Sequence, residues 1–292
     1  MTNGATQPKH VALVIGSGSV KCAAAIGLYN VLQRAGIGLD MVVGCSGGSM
    51  YAALMALGDE PQTIAEITSR LWTREVTSHR NVKALLSVAL PQVFGFDERF
   101  GLVDDKRVMQ RLREAFGERT FADARTPLYI AATDFMNGEQ VVLREGRLVD
   151  AIRASIAIPN IFKPHRVGER LLVDGYLSDP LPIGVAIREG ANVIVAMGFE
   201  SPYQSHIGSF LRFSFQVSGI MANNLLKANF AFHNLAHHSE VILLLPEFNQ
   251  RIGLFDTDKI PYIIDEGERC AEAQLPYLRK LLNMASEQSG PA

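Results

Sequence analysis

Residues 41–58 read MVVGCSGGSMYAALMALG. The apolar residues 41–43 predict a short buried strand, and the helix-forming residues 49–57 predict a helix that ends at Gly58. The turn between them has the pattern G-x-S-x-G, with Ser46 at its centre. This is typical of a nucleophile elbow, because a tight strand-to-helix turn leaves no room for a Cβ atom at the flanking positions. A plain Gly/Ser turn and a phosphate-binding loop remain alternatives, since the pattern is common by chance.

The chain before this elbow has the same order of strand, loop and helix. Residues 10–15, HVALVI, predict a buried strand, residues 16–21 form a Gly-rich loop, and residues 22–33 predict a helix. Alternating strands and helices indicate a parallel sheet that is covered on both faces. Loops that follow parallel strands gather at the carboxyl edge of the sheet, so we expect the Gly-rich loop to lie beside Ser46.

The Gly-rich loop has two candidate uses. A dinucleotide site needs the pattern G-x-G-x-x-G, but the third glycine is missing and no acidic residue ends the second strand. An oxyanion hole fits better, because backbone N–H groups next to a nucleophile can receive the negative charge that develops on a substrate. We therefore expect the loop to serve Ser46.

The remaining segments continue the α/β pattern within one domain, residues 10–284, between flexible ends at 1–9 and 285–292. Residues 91–101 contain three phenylalanines and predict an exposed loop. Apolar runs predict strands at residues 128–133, 140–143, 170–173, 193–197 and 241–245. Periodic segments predict helices at residues 59–72, 81–90, 104–116, 149–158, 181–188 and 265–282.

The composition excludes several classes of protein. The 292 residues are 48% hydrophobic and carry a net charge of −2, so nothing favours nucleic-acid binding. Three widely spaced cysteines indicate a reducing compartment rather than a disulfide framework. The polar N-terminus has no apolar signal core, and no segment reads as a membrane span. We expect a cytoplasmic protein, with any membrane contact peripheral and at the inner face.

A serine nucleophile needs a base, and an acidic residue stands at the end of a later strand. Asp174 and Gly175 close the strand predicted at 170–173. If that strand is parallel to its neighbours, Asp174 lies at the same sheet edge as Ser46. Taken alone, an ordinary Asp-Gly turn is the more frequent explanation of this pair.

Histidines offer a second catalytic arrangement, a serine–histidine–aspartate triad. The candidates are His206, His233, His237 and His238. Two of them, His233 and His237, have the i, i+4 spacing of zinc ligands, but Asn234 stands where the H-E-x-x-H pattern has its glutamate. A zinc site is therefore disfavoured, and we expect no metal.

Four segments follow one another across most of residues 11–198. They are the Gly-rich loop and its helix at 16–27, the G-x-S-x-G pattern at 44–48, the segment ASIAIPNIFKP at 154–164, and Asp174-Gly175 with Pro180-Leu181-Pro182. Together they resemble the patatin-like phospholipase family. The resemblance implies a three-layer α/β fold, with a mostly parallel central sheet and helices on both faces. It also implies a cofactor-free hydrolase of the acyl esters of lipids, an esterase of the phospholipase or lysophospholipase type.

The resemblance further implies a Ser–Asp dyad, in which Ser46 attacks the ester and Asp174 takes its proton. An acyl-enzyme forms and water hydrolyses it. An ordinary carboxylate is a weak base, so burial has to raise the pKa of Asp174 toward neutrality. The implied oxyanion hole consists of Ser17, Gly18, Ser19 and Gly47, supported by Lys21, Gly44, Gly48 and Gly175.

The chain departs from the family pattern in two places. Ser17, Ser19 and Cys22 stand at glycine positions of the loop, and Tyr176 takes the small third position after Asp174. A serine keeps the backbone N–H in place only if φ is negative or if the residue tolerates strain. The alternative function is therefore a catalytically degenerate protein that binds a lipid or a partner.

Residues 205–238 are helical in pattern, rich in phenylalanine and weakly charged. A core helix that covers the sheet is the favoured interpretation. The alternative is a surface helix that meets lipid or the second subunit of a homodimer. If the segment is core, residues 94–100 are the next candidate for lipid contact.

Overall fold

The computed structural model describes residues 8–71, 73, 81, 84, 86–87, 91–98, 100–203 and 205–284. Apart from residues 8 and 9, the two ends predicted as flexible lie outside this part of the chain. Most of the helix predicted at 81–90 lies outside it as well. The extent of the single domain stays a prediction.

Eight strands form one sheet in the order β5-β6-β3-β2-β1-β7-β8, with β4 paired to β3. The strands are β1 Val11–Ile15, β2 Met41–Cys45, β3 Leu128–Asp134, β4 Gln140–Leu143, β5 His165–Val167, β6 Arg170–Asp174, β7 Val193–Met197 and β8 Glu240–Leu244. Five neighbouring strands pair in parallel, in the order β3, β2, β1, β7 and β8. Strands β4 and β6 pair antiparallel with β3, and β5 pairs antiparallel with β6. The predicted mostly parallel sheet is confirmed.

Helices cover both faces of the sheet. They are α1 Ala24–Arg34, α2 Gly47–Leu57, α3 Pro61–Leu71, α4 Pro91–Phe94, α5 Asp105–Phe116, α6 Leu148–Ser155, α7 Ile183–Arg188, α8 Phe210–Ala236 and α9 Ile260–Leu281. Alternate residues of β1 show the two faces, since Leu13 packs with α1, α2 and α9, and Val14 packs with α7 and Leu226 of α8. Successive strand residues point to opposite faces, so both sides of β1 need apolar cover. The three-layer α/β fold is confirmed.

Several element boundaries differ from the predictions. The helix predicted at 22–33 begins as the 3-10 turn Ser19–Ala23 before α1, and the helix predicted at 149–158 ends at Ser155. Strand β5 was not predicted, because three residues are too short to show a pattern and it exists only as the hairpin partner of β6. The start of the predicted 91–101 loop is helical in α4.

The favoured interpretation of residues 205–238 as a core helix is wrong. Only three of the 27 residues of α8 are buried: Gly219, Asn223 and Leu226. Apolar side chains at helical spacing point outward, and the inner face combines small and polar residues with Phe215, Leu226 and Phe230, which pack against the core. Within the described residues, none of the helices has the length and apolarity needed to cross a bilayer.

Candidate active site

Ser46 alone joins β2 to α2. Its backbone has φ 54° and ψ −130°, a left-handed conformation that strains any residue with a Cβ. A Cβ at Gly48 would stand 2.5 Å from the carbonyl oxygens of Gly16 and Ile15, and one at Gly44 would stand 2.6 Å from the backbone of α2. Both glycines are therefore required by the close approach of the backbone, as the elbow pattern predicts.

The structure brings Ser46 and Asp174 into direct contact. Ser46 Oγ donates a hydrogen bond of 2.7 Å to Asp174 Oδ2, and the N–H of Tyr176 donates one of 3.1 Å to Oδ1. Asp174 is fully buried. This burial raises the pKa of Asp174 to about 7, although the two hydrogen bonds oppose the rise. A carboxyl group with such a pKa can take a proton from a hydroxyl near neutral pH.

The strand geometry that brings Asp174 to Ser46 differs from the expected one. Strand β6 is antiparallel to β3, so Asp174 does not come from the carboxyl edge of a parallel strand. Instead Cys45 of β2 pairs with Ala131, and Asp174 of β6 pairs with Ala132. Strands β2 and β6 approach from opposite ends of β3, and each ends opposite one of two neighbouring β3 residues. This places Ser46 and Asp174 side by side.

The backbone around Asp174 is held from several directions. Its N–H donates to the carbonyl of Ala157 at 3.1 Å, and its carbonyl accepts from Thr133 Oγ1 at 3.0 Å. A Cβ at Gly175 would stand 2.5 Å from the carbonyl oxygen of Ala131. The glycine after the acid is therefore needed for close packing against β3.

The sequence did not single out the role of Ser155, which holds the nucleophile from behind. The N–H of Ser46 donates to Ser155 Oγ at 2.8 Å, and Ser155 Oγ donates to the carbonyl of Ala131 at 2.7 Å. Ser155 is fully buried. The available signal was its place in the segment ASIAIP, which carried the family resemblance but indicated no role for the hydroxyl.

The Gly-rich loop lies against the elbow, as predicted. A Cβ at Gly47 would stand 2.8 to 2.9 Å from backbone atoms of Ser19, so these two residues are in close contact. Gly47 is the first residue of α2, where N–H groups have no acceptor within the helix. The N–H of Ser17, however, donates to the carbonyl of Pro180 at 2.8 Å. Ser17 is therefore not an available oxyanion donor, and the predicted hole is reduced to Gly18, Ser19 and Gly47.

The departures from the family loop are accommodated in specific ways. Ser19 adopts φ 54°, the angle that a glycine takes more readily, and its Oγ donates to the carbonyl of Leu254 at 2.5 Å. A Cβ at Gly18 would stand 2.5 Å from the ring of Phe199, so this glycine is required by packing. The thiol of Cys22 is buried and donates to the carbonyl of Gly16 at 3.4 Å.

Lys21 supports the loop through its side chain. Its Nζ donates to the carbonyl of Glu200 at 2.7 Å, which ties the loop to the segment that follows β7. Burial lowers the pKa of Lys21. The basic position of the family pattern is therefore occupied by a lysine that is held at the edge of the site.

A cavity of about 280 Å³ opens beside Ser46. Its walls come from the Gly-rich loop, from the inner face of α8 with Phe215 and Ala222, and from residues 251–254. Lys21 and Arg251, both basic, lie at its edge. A larger cavity of about 530 Å³, lined by Phe96, Phe100 and Lys163 among others, lies elsewhere and does not include Ser46. The smaller cavity is the one that chemistry at Ser46 can use.

The triad alternative requires a histidine in contact with this pair. Among the described residues, no histidine is hydrogen-bonded to Ser46 or Asp174. His233 instead lies against Gly184 of α7, and burial lowers its pKa, as do the neighbouring charges of His237 and Arg188. In the part of the chain that the structure describes, no three His, Cys, Asp or Glu side chains are grouped as metal ligands.

Comparison with known proteins connects this geometry to a family. The family model described as patatin-like phospholipase matches residues 13–187, more than half of the chain. An uncharacterised NTE family protein of Mycobacterium tuberculosis is 30% identical over 194 residues, which are 66% of this chain and 50% of the relative. The chain thus spans about half the length of this relative.

Two further relatives and one solved structure extend the comparison. Patatin-like phospholipase domain-containing protein 7 of Rattus norvegicus is 26% identical over 203 residues, 68% of this chain and 14% of that protein. The uncharacterised protein YqhO of Bacillus subtilis is 26% identical over 253 residues, 80% of this chain and 86% of YqhO. The crystal structure of VipD from Legionella pneumophila has a TM-score of 0.51 and 14% identity, covering 92% of this chain and 67% of VipD. At that identity the similarity to VipD shows the fold alone.

Proposed function

Because the chain belongs to the patatin-like phospholipase family, we propose that it is a lipid acyl hydrolase with Ser46 as nucleophile and Asp174 as general base. The observation that supports this assignment is the hydrogen bond of 2.7 Å from Ser46 Oγ to Asp174 Oδ2. It lies beside a cavity whose walls are partly apolar, as an acyl chain requires.

The reaction that these groups support is a two-step acyl transfer. The Ser46 proton moves to Asp174 Oδ2 while Ser46 Oγ bonds to the carbonyl carbon of the ester. The carbonyl oxygen takes up the negative charge, which we assign to the N–H groups of Gly18, Ser19 and Gly47. The bond to the alcohol then breaks, and the alcohol leaves with the proton from Asp174. Water repeats these steps on the acyl-enzyme and releases the carboxylic acid.

The dyad is favoured over a triad for a structural reason. Asp174 accepts the Ser46 hydrogen bond directly, and its other oxygen is occupied by the N–H of Tyr176. A histidine has no place between the two groups in this arrangement. The raised pKa of Asp174 supports the same assignment, because an acid–base catalyst works best with a pKa near the working pH.

The test uses a chromogenic short-chain acyl ester and three variants. Ser46→Ala and Asp174→Asn should each lower kcat/KM by about a thousandfold or more, and the double variant should be no worse than either, because the two groups act as one unit. Circular dichroism and thermal unfolding confirm that each variant is folded. Full activity in either single variant would exclude the dyad.

Two control outcomes separate the alternatives. His233→Ala should retain activity within a few fold, and a thousandfold loss in this or another histidine variant would identify a triad instead. A wild-type protein that hydrolyses no acyl ester, although it binds lipid or a partner, would identify the degenerate alternative. The cytoplasmic location, the peripheral membrane contact and the homodimer stay predictions.

A further inference from the structure

Helix α8 carries its apolar side chains on the side away from the protein. Phe210, Phe213, Val217, Ile220 and Met221 are 78%, 55%, 41%, 42% and 66% exposed, respectively. Their spacing by three, four and one residues places them on one face of the helix. We call these five residues the outer stripe of α8. A stripe of this kind on a soluble helix normally faces the core, so its outward position needs a cause.

The inner face of α8 is held to the protein by the apolar contacts of Leu226 and Phe230 and by hydrogen bonds. Asn223 accepts from the N–H of Ser201 at 2.8 Å and donates to its carbonyl at 3.0 Å. Asn160 Nδ2 donates to Ser214 Oγ at 3.0 Å, and Asn229 Nδ2 donates to the buried Asp179 at 3.0 Å. The helix is thus docked through its inner face, which leaves the outer stripe available to another partner.

The same helix forms a wall of the cavity at Ser46. Phe215, Ser218, Gly219 and Ala222, which lie on the inner face between outer-stripe positions, line that cavity. The outer stripe is therefore separated from the substrate cavity by the thickness of one helix. A surface that met the outer stripe would lie within the thickness of one helix of the cavity.

The charge around the outer stripe indicates the chemistry of its partner. Residues 201–239 contain Arg212 and Lys227 but no aspartate or glutamate, although the whole chain has about one acidic residue in ten. Lys227, seven residues after Ile220, lies at the margin of the stripe, is 62% exposed and pairs with Glu200 at 3.1 Å. An apolar stripe with a basic residue at its margin and no acidic residue in its segment complements an anionic lipid surface. A two-fold dimer through the same face would place like charges against each other.

We infer that the outer stripe of α8 docks the protein on an anionic lipid bilayer, with α8 between the bilayer and the cavity of Ser46. The inference rests on the proposed lipid acyl hydrolase, because it explains how a water-insoluble ester reaches Ser46. The apolar side chains enter the interface between headgroups and acyl chains, and Lys227 at the margin of the stripe contacts the anionic headgroups. The substrate then moves from the bilayer into the cavity along the inner face of α8.

The experiment measures co-sedimentation of the full chain carrying Ser46→Ala with lipid vesicles, so that no lipid is consumed. Removing one half-exposed phenylalanine from the interface should weaken partitioning about tenfold, and removing two should weaken it about a hundredfold. Phe213→Ser and the double variant Phe210→Ser/Phe213→Ser test this. Lys227→Gln should lower the preference for phosphatidylglycerol-containing vesicles over pure phosphatidylcholine vesicles about fivefold.

Tyr277→Ser is the matched control. Tyr277 is 48% exposed, similar to Phe213, but it contacts Glu240 at the amino end of β8, at the sheet edge opposite Ser46. This variant should bind vesicles as the parent does. Equal losses in Tyr277→Ser and Phe213→Ser would overturn the inference, as would vesicle binding that neither phenylalanine affects. A dimer in solution that Phe213→Ser dissociates, with no vesicle binding in the parent, would assign the stripe to a second copy and also overturn it.

Two activity assays separate this inference from the proposed function. With Ser46 restored, Phe213→Ser should hydrolyse a soluble short-chain ester at the normal rate but should lose activity on vesicle lipids in proportion to its lost binding. If the parent binds vesicles through the stripe but hydrolyses neither substrate, the docking surface stands and the proposed function fails. If vesicle lipids are hydrolysed equally well by Phe213→Ser and its parent, the proposed function stands and the docking surface fails.

Discussion

Helices α2 and α8 are both rich in apolar residues, yet the protein uses them in opposite ways. All eleven residues of α2 are buried, whereas three of the 27 residues of α8 are. The difference lies in how closely other parts of the protein approach the glycines of each helix. A Cβ at Gly48 of α2 would meet rigid strand backbone at 2.5 Å, whereas the nearest atom to a Cβ at Gly219 of α8 is a side-chain carbon of Ser201 at 3.3 Å. Close backbone contact buries α2, and side-chain hydrogen bonds hold α8 at the surface.

The same glycine-to-alanine change should therefore have unequal effects in the two helices. Gly48→Ala should lower the free energy of unfolding by about 3 kcal/mol or more, because backbone oxygens of β1 and the loop after it cannot move aside. Gly219→Ala should change it by no more than about 1 kcal/mol, since alanine favours a helix and Ser201 can shift. Denaturant unfolding of both variants measures the difference.

Activity assays on Gly48→Ala and Gly219→Ala test the same difference independently of stability. Gly48→Ala should also abolish ester hydrolysis, because the displaced turn moves Ser46 away from Asp174. Gly219→Ala should retain most activity on a soluble ester. Equal stability of the two variants would show that backbone contact does not distinguish α2 from α8.

Two buried carboxyl groups extend the comparison to pH. Burial raises the pKa of Asp174 at the elbow to about 7 and that of Asp179, which anchors α8 through Asn229, to about 6. Since the ordinary pKa is 3.8, the folded state binds more protons than the unfolded state between about pH 4 and pH 7. Stability should therefore fall as pH rises through that window.

Asp174→Asn should remove the larger part of this dependence. Relative to wild type, the variant should gain stability as pH rises from 4 to 7, by up to about 4 kcal/mol, because it no longer buries an ionised group. Asp179→Asn should gain less and over a lower range. Denaturant unfolding across this pH range measures both variants. Unfolding free energies of wild type and Asp174→Asn that stay parallel across pH would contradict the raised pKa.

The rate should depend on pH in the opposite direction. Only the deprotonated form of Asp174 can take the proton of Ser46, so kcat/KM should rise with pH through a midpoint near 7. Asp179→Asn should leave that midpoint in place. A midpoint near 4 would mean that Asp174 is more hydrated than its burial indicates.

The sequence could predict those features that are local or that follow a regular period. The elbow at Ser46 and the apolar strands were found in this way. The contact with Asp174 depends on β6 meeting β2 end to end along β3, and no local pattern of residues encodes that pairing. Ser155 lies 109 residues from Ser46 in sequence, so its hydrogen bond became visible only in the fold. In α8 the spacing of apolar residues indicated an apolar stripe, but this spacing does not tell which side of the helix packs against the protein.

Ser155 provides a smaller test of how firmly the elbow is held. Ser155→Ala removes the acceptor of the Ser46 N–H and a donor to the carbonyl of Ala131 in the core, which should cost about 1–3 kcal/mol of stability. The strained turn at Ser46 should loosen, so kcat should fall about tenfold while KM changes little. Ser239→Ala is the control, because its Oγ donates to the carbonyl of Ala191 far from the site. It should leave kcat unchanged, and an equal fall in both variants would remove the positioning role of Ser155.

The smallest effect is expected at Ser19, where the elbow meets the wall of the cavity. Its backbone lies against Gly47, and its Oγ donates to the carbonyl of Leu254 in the segment that lines the cavity opposite the elbow. Replacing it by glycine relieves the strain of φ 54°, about 1 kcal/mol or more, but removes a hydrogen bond that contributes about 0.5–1.5 kcal/mol. These terms nearly cancel, so Ser19→Gly should change the free energy of unfolding by less than about 1 kcal/mol.

Because the serine already holds the backbone angle that the family glycine would take, the N–H direction is unchanged and kcat should stay within about twofold. Steady-state kinetics on a soluble ester decides the matter, with Ser17→Gly as the matched control, since its N–H is committed to Pro180 and should not affect turnover. A rise in kcat of tenfold or more in Ser19→Gly alone would show that the serine misdirects the oxyanion donor, and that this part of the elbow is less well formed than its packing indicates.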